Sequence, residues 1–167
     1  MRTIIVILSV FALAACEGPP VERTPPPTAD VIKWSASQEV TREAPDGATL
    51  LDINLFAQVA GGWKLYSLTQ GSGGPARMTV KLADGSPYEM AGEVTGPAPT
   101  RTMDPNFNIE TETHSGAPVF KVTVNIPKDS DRRKPVELEV RSQACSETMC
   151  LPPRTTTLTV AADMSAI

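Results

Sequence analysis

Two cysteines near the end of the chain are the residues best suited to chemistry. Cys145 and Cys150 lie in the stretch Q-A-C-S-E-T-M-C-L-P-P at residues 143–153, with four residues between them. An alternating strand pattern ends just before them, and a double proline follows. A pair this close can form a disulfide only across a tight turn, and such turns lie at a protein surface. The spacing indicates a disulfide that other thiols can open and close.

The same spacing permits two interpretations of the pair. Thiol–disulfide exchange needs an accessible sulfur, an attacking thiolate and a second cysteine that resolves the mixed disulfide. Two sulfurs in one short loop meet the last requirement. A purely structural disulfide is the alternative, although a ring this small stabilises a fold by only about 2 kcal/mol in the loop-entropy view. Spacing alone leaves both interpretations open.

Other kinds of site find less support in the sequence. His114 is the only histidine, and it stands next to Ser115-Gly116, so we expect a solvated loop residue rather than the base of a hydrolase. A four-ligand zinc site would have to recruit carboxylates, and no spacing indicates one. We therefore expect no metal and no cofactor. A weaker hypothesis places copper(I) between Met149 and the two cysteines.

The N-terminus has the pattern of an export signal. Met1-Arg2 precedes an apolar run at residues 4–13, which is shorter than the roughly 20 residues that span a bilayer. The following L-A-A-C resembles the lipobox of bacterial lipoproteins, which implies a signal peptide at residues 1–15 and lipidation of Cys16. An ordinary secretory signal is the alternative. Glu17, where an aspartate would favour retention in the inner membrane, favours the outer membrane. We expect the protein on the periplasmic side of that membrane, with the lipid as its only anchor.

The rest of the chain divides into a tether, one domain and a tail. Residues 16–30 contain five prolines, which predicts an extended tether reaching on the order of 40 Å. Residues 31–162 are long enough for a single domain with its own core, and residues 163–167 form a short tail. The net charge of −4 argues against binding to nucleic acid. We expect a monomer.

Period-two apolar patterns dominate the domain. Residues 51–59, 120–126 and 136–140 each alternate apolar and polar side chains, as half-buried strands do. Shorter strand patterns occur at residues 31–40, 63–68, 78–82 and 155–160, with Gly, Pro and Asp turn signals between them. About seven strands of this kind predict an all-β, immunoglobulin-like antiparallel sandwich, with a lipocalin-like barrel as the alternative. The prolines of residues 92–107 predict a long irregular excursion.

Three stretches of the chain resemble the N-terminal periplasmic domain of DsbD, the bacterial thiol:disulfide interchange protein. They are W-K-L-Y-S at residues 63–67, G-E-V-T-G-P-A-P-T-R-T-M-D-P-N-F at residues 92–107, and the cysteine stretch. The resemblance covers residues 31–160, and its most specific part is the cysteine stretch. It implies an immunoglobulin-like fold, in agreement with the strand pattern.

The resemblance also implies roles for individual residues. Cys150 would form the mixed disulfide with partners, and Cys145 would resolve it. A cap loop carrying a phenylalanine covers the disulfide in the family, and Phe107 falls at that place, with Tyr66 near the site. The chain departs from the family pattern in having one residue fewer between the cysteines, and Asn108 follows Phe107 where an aromatic residue or glycine is expected.

We therefore interpret the chain as a periplasmic thiol–disulfide interchange module, a possible component of a protein-disulfide reductase. Its expected partners are thioredoxin-fold proteins of the periplasm and a membrane transporter of thiol electrons, because this chain would receive its electrons from another protein. The alternative is an immunoglobulin-like binding lipoprotein whose Cys145–Cys150 disulfide is structural.

Overall fold

The computed structural model describes residues 31–162, and every element in that part of the chain is a β-strand. Eleven strands follow one another there: β1 (Ile32–Glu43), β2 (Thr49–Val59), β3 (Lys64–Tyr66), β4 (Thr79–Leu82), β5 (Glu89–Met90), β6 (Thr100–Asp104), β7 (Ile109–His114), β8 (Val119–Ile126), β9 (Val136–Ser142), β10 (Ala144–Cys145) and β11 (Arg154–Val160). The expected all-β, immunoglobulin-like antiparallel fold is confirmed. Within the described range, no helix is long and apolar enough to cross a membrane.

Several expectations from the sequence concern residues outside this range. The signal peptide, the lipidation at Cys16 and the proline-rich tether all precede residue 31, and the tail begins at residue 163. These stay predictions.

The core is built by the inward faces of β2, β8 and β9. Alternate residues of each strand point inward, as the period-two pattern predicted, and they are fully buried. They are Leu51, Ile53, Leu55, Phe120, Val122, Val124, Val136, Leu138 and Val140. Removal of this apolar surface from water is the main source of stability for the sandwich.

The strands pair antiparallel in three groups. Their orders are β1-β2-β8-β5, β11-β9-β4 and β10-β3-β7-β6. The first two groups carry the core strands, whereas the third consists of strands of two to six residues. Only Gln143 separates β9 from β10, so a strand of the core leads directly to the first cysteine. A rigid scaffold therefore positions the cysteine pair.

Residues 92–107 form the predicted irregular excursion only in part, because residues 92–99 lie outside the strands and residues 100–104 form β6. Strand β6 pairs with β7 from Thr100↔Thr113 to Asp104↔Ile109, and Thr95 forms a bridge with Lys121. The expectation was wrong for residues 100–104 because β6 is an edge strand in which only Asp104 is buried. A strand without an apolar face shows no period-two pattern.

Candidate functional site

The two cysteines are joined across a small hairpin. Their sulfurs lie 2.01 Å apart and their Cα atoms 4.1 Å apart. Cys145 and Cys150 face each other as an antiparallel bridge, and the Leu151 amide donates to the Ala144 carbonyl oxygen at 2.9 Å. The tight-turn disulfide expected from the spacing is present, and backbone hydrogen bonds hold it on both sides.

Ser146 organises the turn of this cysteine hairpin (residues 145–150). Its amide donates to the Met149 carbonyl oxygen at 2.8 Å. Its hydroxyl oxygen accepts from the amides of Thr148 at 3.3 Å and Met149 at 3.2 Å. A serine that satisfies the amides two and three residues ahead is typical of a stable turn. Residues 147–149 are exposed at its tip, so the hairpin projects into solvent.

The two cysteines differ in exposure. Cys145 is 1% exposed, because it belongs to β10 and is paired with Lys64 of β3. Cys150 is partly exposed. Since thiol–disulfide exchange requires approach to a sulfur, an incoming thiol meets Cys150 first.

Gln143 anchors the base of the cysteine hairpin, a role that sequence reasoning missed. Its buried side-chain oxygen accepts from the Ala76 amide at 2.7 Å, and its side-chain nitrogen donates to the Leu151 carbonyl oxygen at 3.1 Å. The side chain therefore links the strand leaving Cys150 to a neighbouring loop. The one sequence signal of this role was the position of Gln143, two residues before Cys145.

Phe107 lies at the tip of the hairpin that joins β6 to β7, which we call the cap loop (residues 105–108). Its ring is partly buried and meets the Tyr66 ring edge-on, with ring centres 6.3 Å apart. The neighbouring Asn106 donates from its side chain to the Ser146 carbonyl oxygen at 3.0 Å. This hydrogen bond brings the cap loop into direct contact with the cysteine hairpin.

Asn108 explains one departure from the family pattern. Its φ of 54° lies in the left-handed region, which asparagine and glycine tolerate better than other residues. The cap loop needs this conformation to turn back into β7, so asparagine suits the position where an aromatic residue or glycine was expected.

Asp104 is a functional candidate that the sequence did not reveal. It is only 5% exposed, and its carboxylate accepts from the Tyr66 hydroxyl at 2.6 Å and from the Asn106 amide at 2.9 Å. Burial acts to raise the pKa of Asp104, but these hydrogen bonds outweigh it and hold the pKa below its usual value. Burial and the adjacent carboxylate raise the pKa of Tyr66. The pair is a neutral phenol and a carboxylate.

His114 is buried, and the expectation of a solvated loop residue was wrong. It ends β7, pairs with Leu65 of β3 and is 7% exposed. Its ring lies edge-on to the Phe120 ring, with centres 5.2 Å apart. Burial lowers the pKa of His114, against a smaller opposing effect of Glu112. The turn begins after His114 rather than before it.

A shallow depression lies beside the cysteine hairpin. Its volume is about 510 Å³, and Trp63, Lys64, Ser115 and residues 146–148 line it. The W-K-L-Y-S stretch thus contributes both to this depression and, through Tyr66, to the contact with the cap loop. Within residues 31–162, no group of three or more His, Cys, Asp or Glu side chains could hold a metal ion.

Residues 33–162 match the family model of the N-terminal part of the thiol:disulfide interchange protein DsbD. A search of curated proteins found no match. Among solved structures, the chain is similar to the N-terminal periplasmic domain of ScsB from Proteus mirabilis, with 19% identity and a TM-score of 0.54. That alignment covers 83% of this chain and 49% of the other, so the chain spans about half the length of that structure.

Two further solved structures come from Neisseria meningitidis. One is the reduced DsbD N-terminal domain, with 19% identity, a TM-score of 0.47 and coverage of 81% of this chain and 88% of that one. The other is the complex between the DsbD and PilB N-terminal domains, with 15% identity, a TM-score of 0.43 and coverage of 74% and 80%. Because the family match spans residues 33–162 and the cysteine pair is bonded, this chain belongs to the family of the DsbD N-terminal domain, and at that level its chemistry is thiol–disulfide interchange.

Proposed function

We propose that this domain passes reducing equivalents between thioredoxin-fold proteins through reversible opening of the Cys145–Cys150 disulfide. The observation that carries the proposal is the difference in exposure, with Cys145 1% exposed and Cys150 partly exposed. An exchange site needs one sulfur that partners can reach and a second cysteine that resolves the mixed disulfide. The unequal exposure gives the two sulfurs of this pair different access to an incoming thiol, as these two roles require.

The chemistry balances as two successive exchanges. In the reduced domain, the Cys150 thiolate attacks the disulfide of a partner, forms a mixed disulfide and releases one partner thiolate. The Cys145 thiolate then attacks the Cys150 sulfur and releases the second partner thiolate. Two electrons have moved to the partner, and the Cys145–Cys150 disulfide has formed again. Reduction by a donor follows the same steps in reverse and needs no cofactor.

Phe107 is proposed to shield the pair from small thiols until a partner displaces the cap loop. Support comes from the Asn106 hydrogen bond to Ser146, next to Cys145, and from the ring contact between Phe107 and Tyr66. An apolar ring at this place would oppose the approach of charged or hydrated thiolates, whose transfer from water is costly. Protein partners bring their own apolar surface and would exchange it for the ring.

Trapping of mixed disulfides tests the roles of the two cysteines. Reduced Cys145→Ser protein should accumulate an adduct with a thioredoxin-fold protein whose second active-site cysteine is replaced by serine and whose first is activated as a mixed disulfide with thionitrobenzoate. Attack by Cys150 then releases thionitrobenzoate, and neither protein retains a thiol that could resolve the new bond. The matched Cys150→Ser variant should accumulate none. Mass spectrometry of both mixtures gives the answer. Adducts mainly through Cys145 would reverse the roles, and none from either variant would favour an immunoglobulin-like binding protein with a structural disulfide.

We also propose that the domain acts as a monomer on the periplasmic side of a bacterial membrane, with the outer membrane preferred. The L-A-A-C sequence ending at Cys16 supports a lipid anchor. In this setting a membrane transporter of thiol electrons is the expected donor.

Replacement of Cys16 by serine should release the protein from the membrane fraction or leave the precursor uncleaved. Unchanged membrane association of Cys16→Ser would contradict the lipid anchor and leave the exchange chemistry untouched.

A further inference from the structure

The base of the cap loop is fixed by a buried polar contact that the exchange chemistry does not require. Tyr66 and Asp104 are 0% and 5% exposed, and the hydroxyl-to-carboxylate distance is 2.6 Å. They lie 38 positions apart in the chain. Among residues 31–162, Asp104 forms no ion pair, and its carboxylate is satisfied by neutral donors. A buried carboxylate destabilises the fold unless hydrogen bonds replace its water.

The partners of Asp104 all belong to the cap loop, to the strand that leaves it, or to Tyr66. One carboxylate oxygen accepts from the Asn106 amide at 2.9 Å. The other accepts from Tyr66 and, at 3.4 Å, from the Thr111 hydroxyl. The backbone carbonyl of Asp104 accepts from the Asn108 amide at 2.7 Å. The backbone amides of Asn106 and Asn108, both in the cap loop, are therefore hydrogen-bonded to Asp104.

Tyr66 joins this base to the tip of the loop and to the cysteine hairpin. Its ring packs against the Phe107 ring, and its amide donates to the Gln143 carbonyl oxygen at 3.3 Å. Its neighbour Leu65 is paired with Ala144, next to Cys145. Tyr66, whose hydroxyl bonds to Asp104, thus belongs to β3, the strand that also pairs with β10 and so positions Cys145.

We propose that Tyr66 and Asp104 are positioning residues, whose hydrogen bond holds the cap loop closed over the disulfide and must break, or reorient, when a partner displaces Phe107. The inference rests on the proposed function, since it assumes that Phe107 shields the sulfurs. Neither residue touches a reacting atom in this account. Their effect on exchange is transmitted through the position of the cap loop.

The test measures how fast a small reductant opens the disulfide. Tyr66→Phe and Asp104→Asn keep the size of each side chain and remove or weaken the hydrogen bond. Each should raise the second-order rate of reduction by dithiothreitol by at least about tenfold, because loss of a hydrogen bond to a buried carboxylate increases the population of the open loop by that factor. Tyr88→Phe is the matched control, because this buried tyrosine bonds to carbonyl oxygens of residues 131 and 134. Its rate should stay at the wild-type value.

A double-mutant cycle separates positioning from general destabilisation. If the pair acts only by placing the cap loop, Tyr66→Phe should add no further acceleration in a Phe107→Ala background. Additive effects in the double variant, or no acceleration by either single variant when both are shown to be folded by circular dichroism, would overturn the proposal. If Phe107→Ala itself leaves the rate unchanged, the shielding role in the proposed function fails. If only the Tyr66 and Asp104 variants are inert, the shielding role survives and the positioning role fails.

Discussion

Two connections of this domain are each held by a buried tyrosine, and they are held in different ways. Tyr66 donates to the side chain of Asp104 at the base of the cap loop. Tyr88 donates to the backbone carbonyl oxygens of Lys134 at 2.6 Å and Asp131 at 3.1 Å, in the connection between β8 and β9. The first contact depends on a single carboxylate, whereas the second uses backbone groups present in any sequence.

The difference has a physical consequence for movement. A carboxylate released from a phenol can be hydrated or can turn to another donor, so the cap loop has a route to an open state. A backbone carbonyl oxygen cannot turn to another donor without a change in the path of the chain. At the exposed residues Asp131 and Lys134 only water can replace the lost tyrosine, so its loss costs stability without opening a loop. The Tyr66–Asp104 contact is therefore suited to a loop that opens, whereas the Tyr88 contacts are suited to a connection that stays in place.

The largest expected effect is on stability, and it compares the two tyrosines directly. Tyr66→Phe leaves a buried carboxylate with one partner fewer, which should cost about 2–3 kcal/mol of unfolding free energy. Tyr88→Phe leaves two partly exposed carbonyl oxygens and should cost about 1 kcal/mol. Urea unfolding of both variants gives the two values. Equal costs would mean that the carboxylate is no more dependent on its tyrosine than the backbone carbonyls are.

The next effect concerns the reactivity of the disulfide. Phe107→Ala should speed reduction of the disulfide by dithiothreitol by at least about tenfold, because a truncated side chain removes most of the apolar contact that keeps the loop closed. Arg133→Ala, at the exposed end of the other connection, is the control and should leave the rate unchanged. Acceleration by both variants would point to global loosening rather than to shielding.

A smaller effect is expected at the turn of the cap loop. Asn108→Ala forces a residue with a Cβ and no local hydrogen-bonding side chain into a φ of 54°, which should cost about 1 kcal/mol. Asn108→Gly should be close to neutral. Thermal unfolding of the Asn108→Ala and Asn108→Gly variants shows whether position 108 requires the left-handed conformation or the amide side chain. A glycine variant as unstable as the alanine variant would contradict this account.

The smallest effect appears only in acid. Since the folded pKa of Asp104 lies below its usual value, its ionised form stabilises the fold above about pH 4, and this contribution is lost as the pH falls through the folded pKa. The Asp104→Asn variant should therefore show a shallower loss of stability in acid than the wild type. The carboxyl of Asp131 in the other connection also has a lowered pKa, caused chiefly by its hydrogen bonds to Arg133, but it is exposed. Asp131→Asn should change the dependence of the unfolding free energy on acid pH very little. An equally shallow loss of stability in the Asp104→Asn and Asp131→Asn variants would contradict the expected difference between the two carboxyls.

Local patterns predicted most of the fold. The three core strands alternate so regularly that their inward faces could be identified from residues 51–59, 120–126 and 136–140. The cysteine hairpin was also predictable, because four intervening residues leave little choice but a tight turn. Edge strand β6 was missed since it buries only Asp104, and a strand without an apolar face resembles a loop in sequence.

The sequence by itself determined a β-sandwich and a disulfide that closes a surface hairpin, since both follow from contacts between residues close in the chain or from strict alternation. Only the tertiary structure decided which cysteine is exposed, that His114 is buried and that Tyr66 meets Asp104. These properties depend on which strands become neighbours. Strand pairing joins residues such as Leu65 and His114 that no local pattern relates. Burial, the pKa of a carboxyl and the access to a sulfur all follow from that pairing.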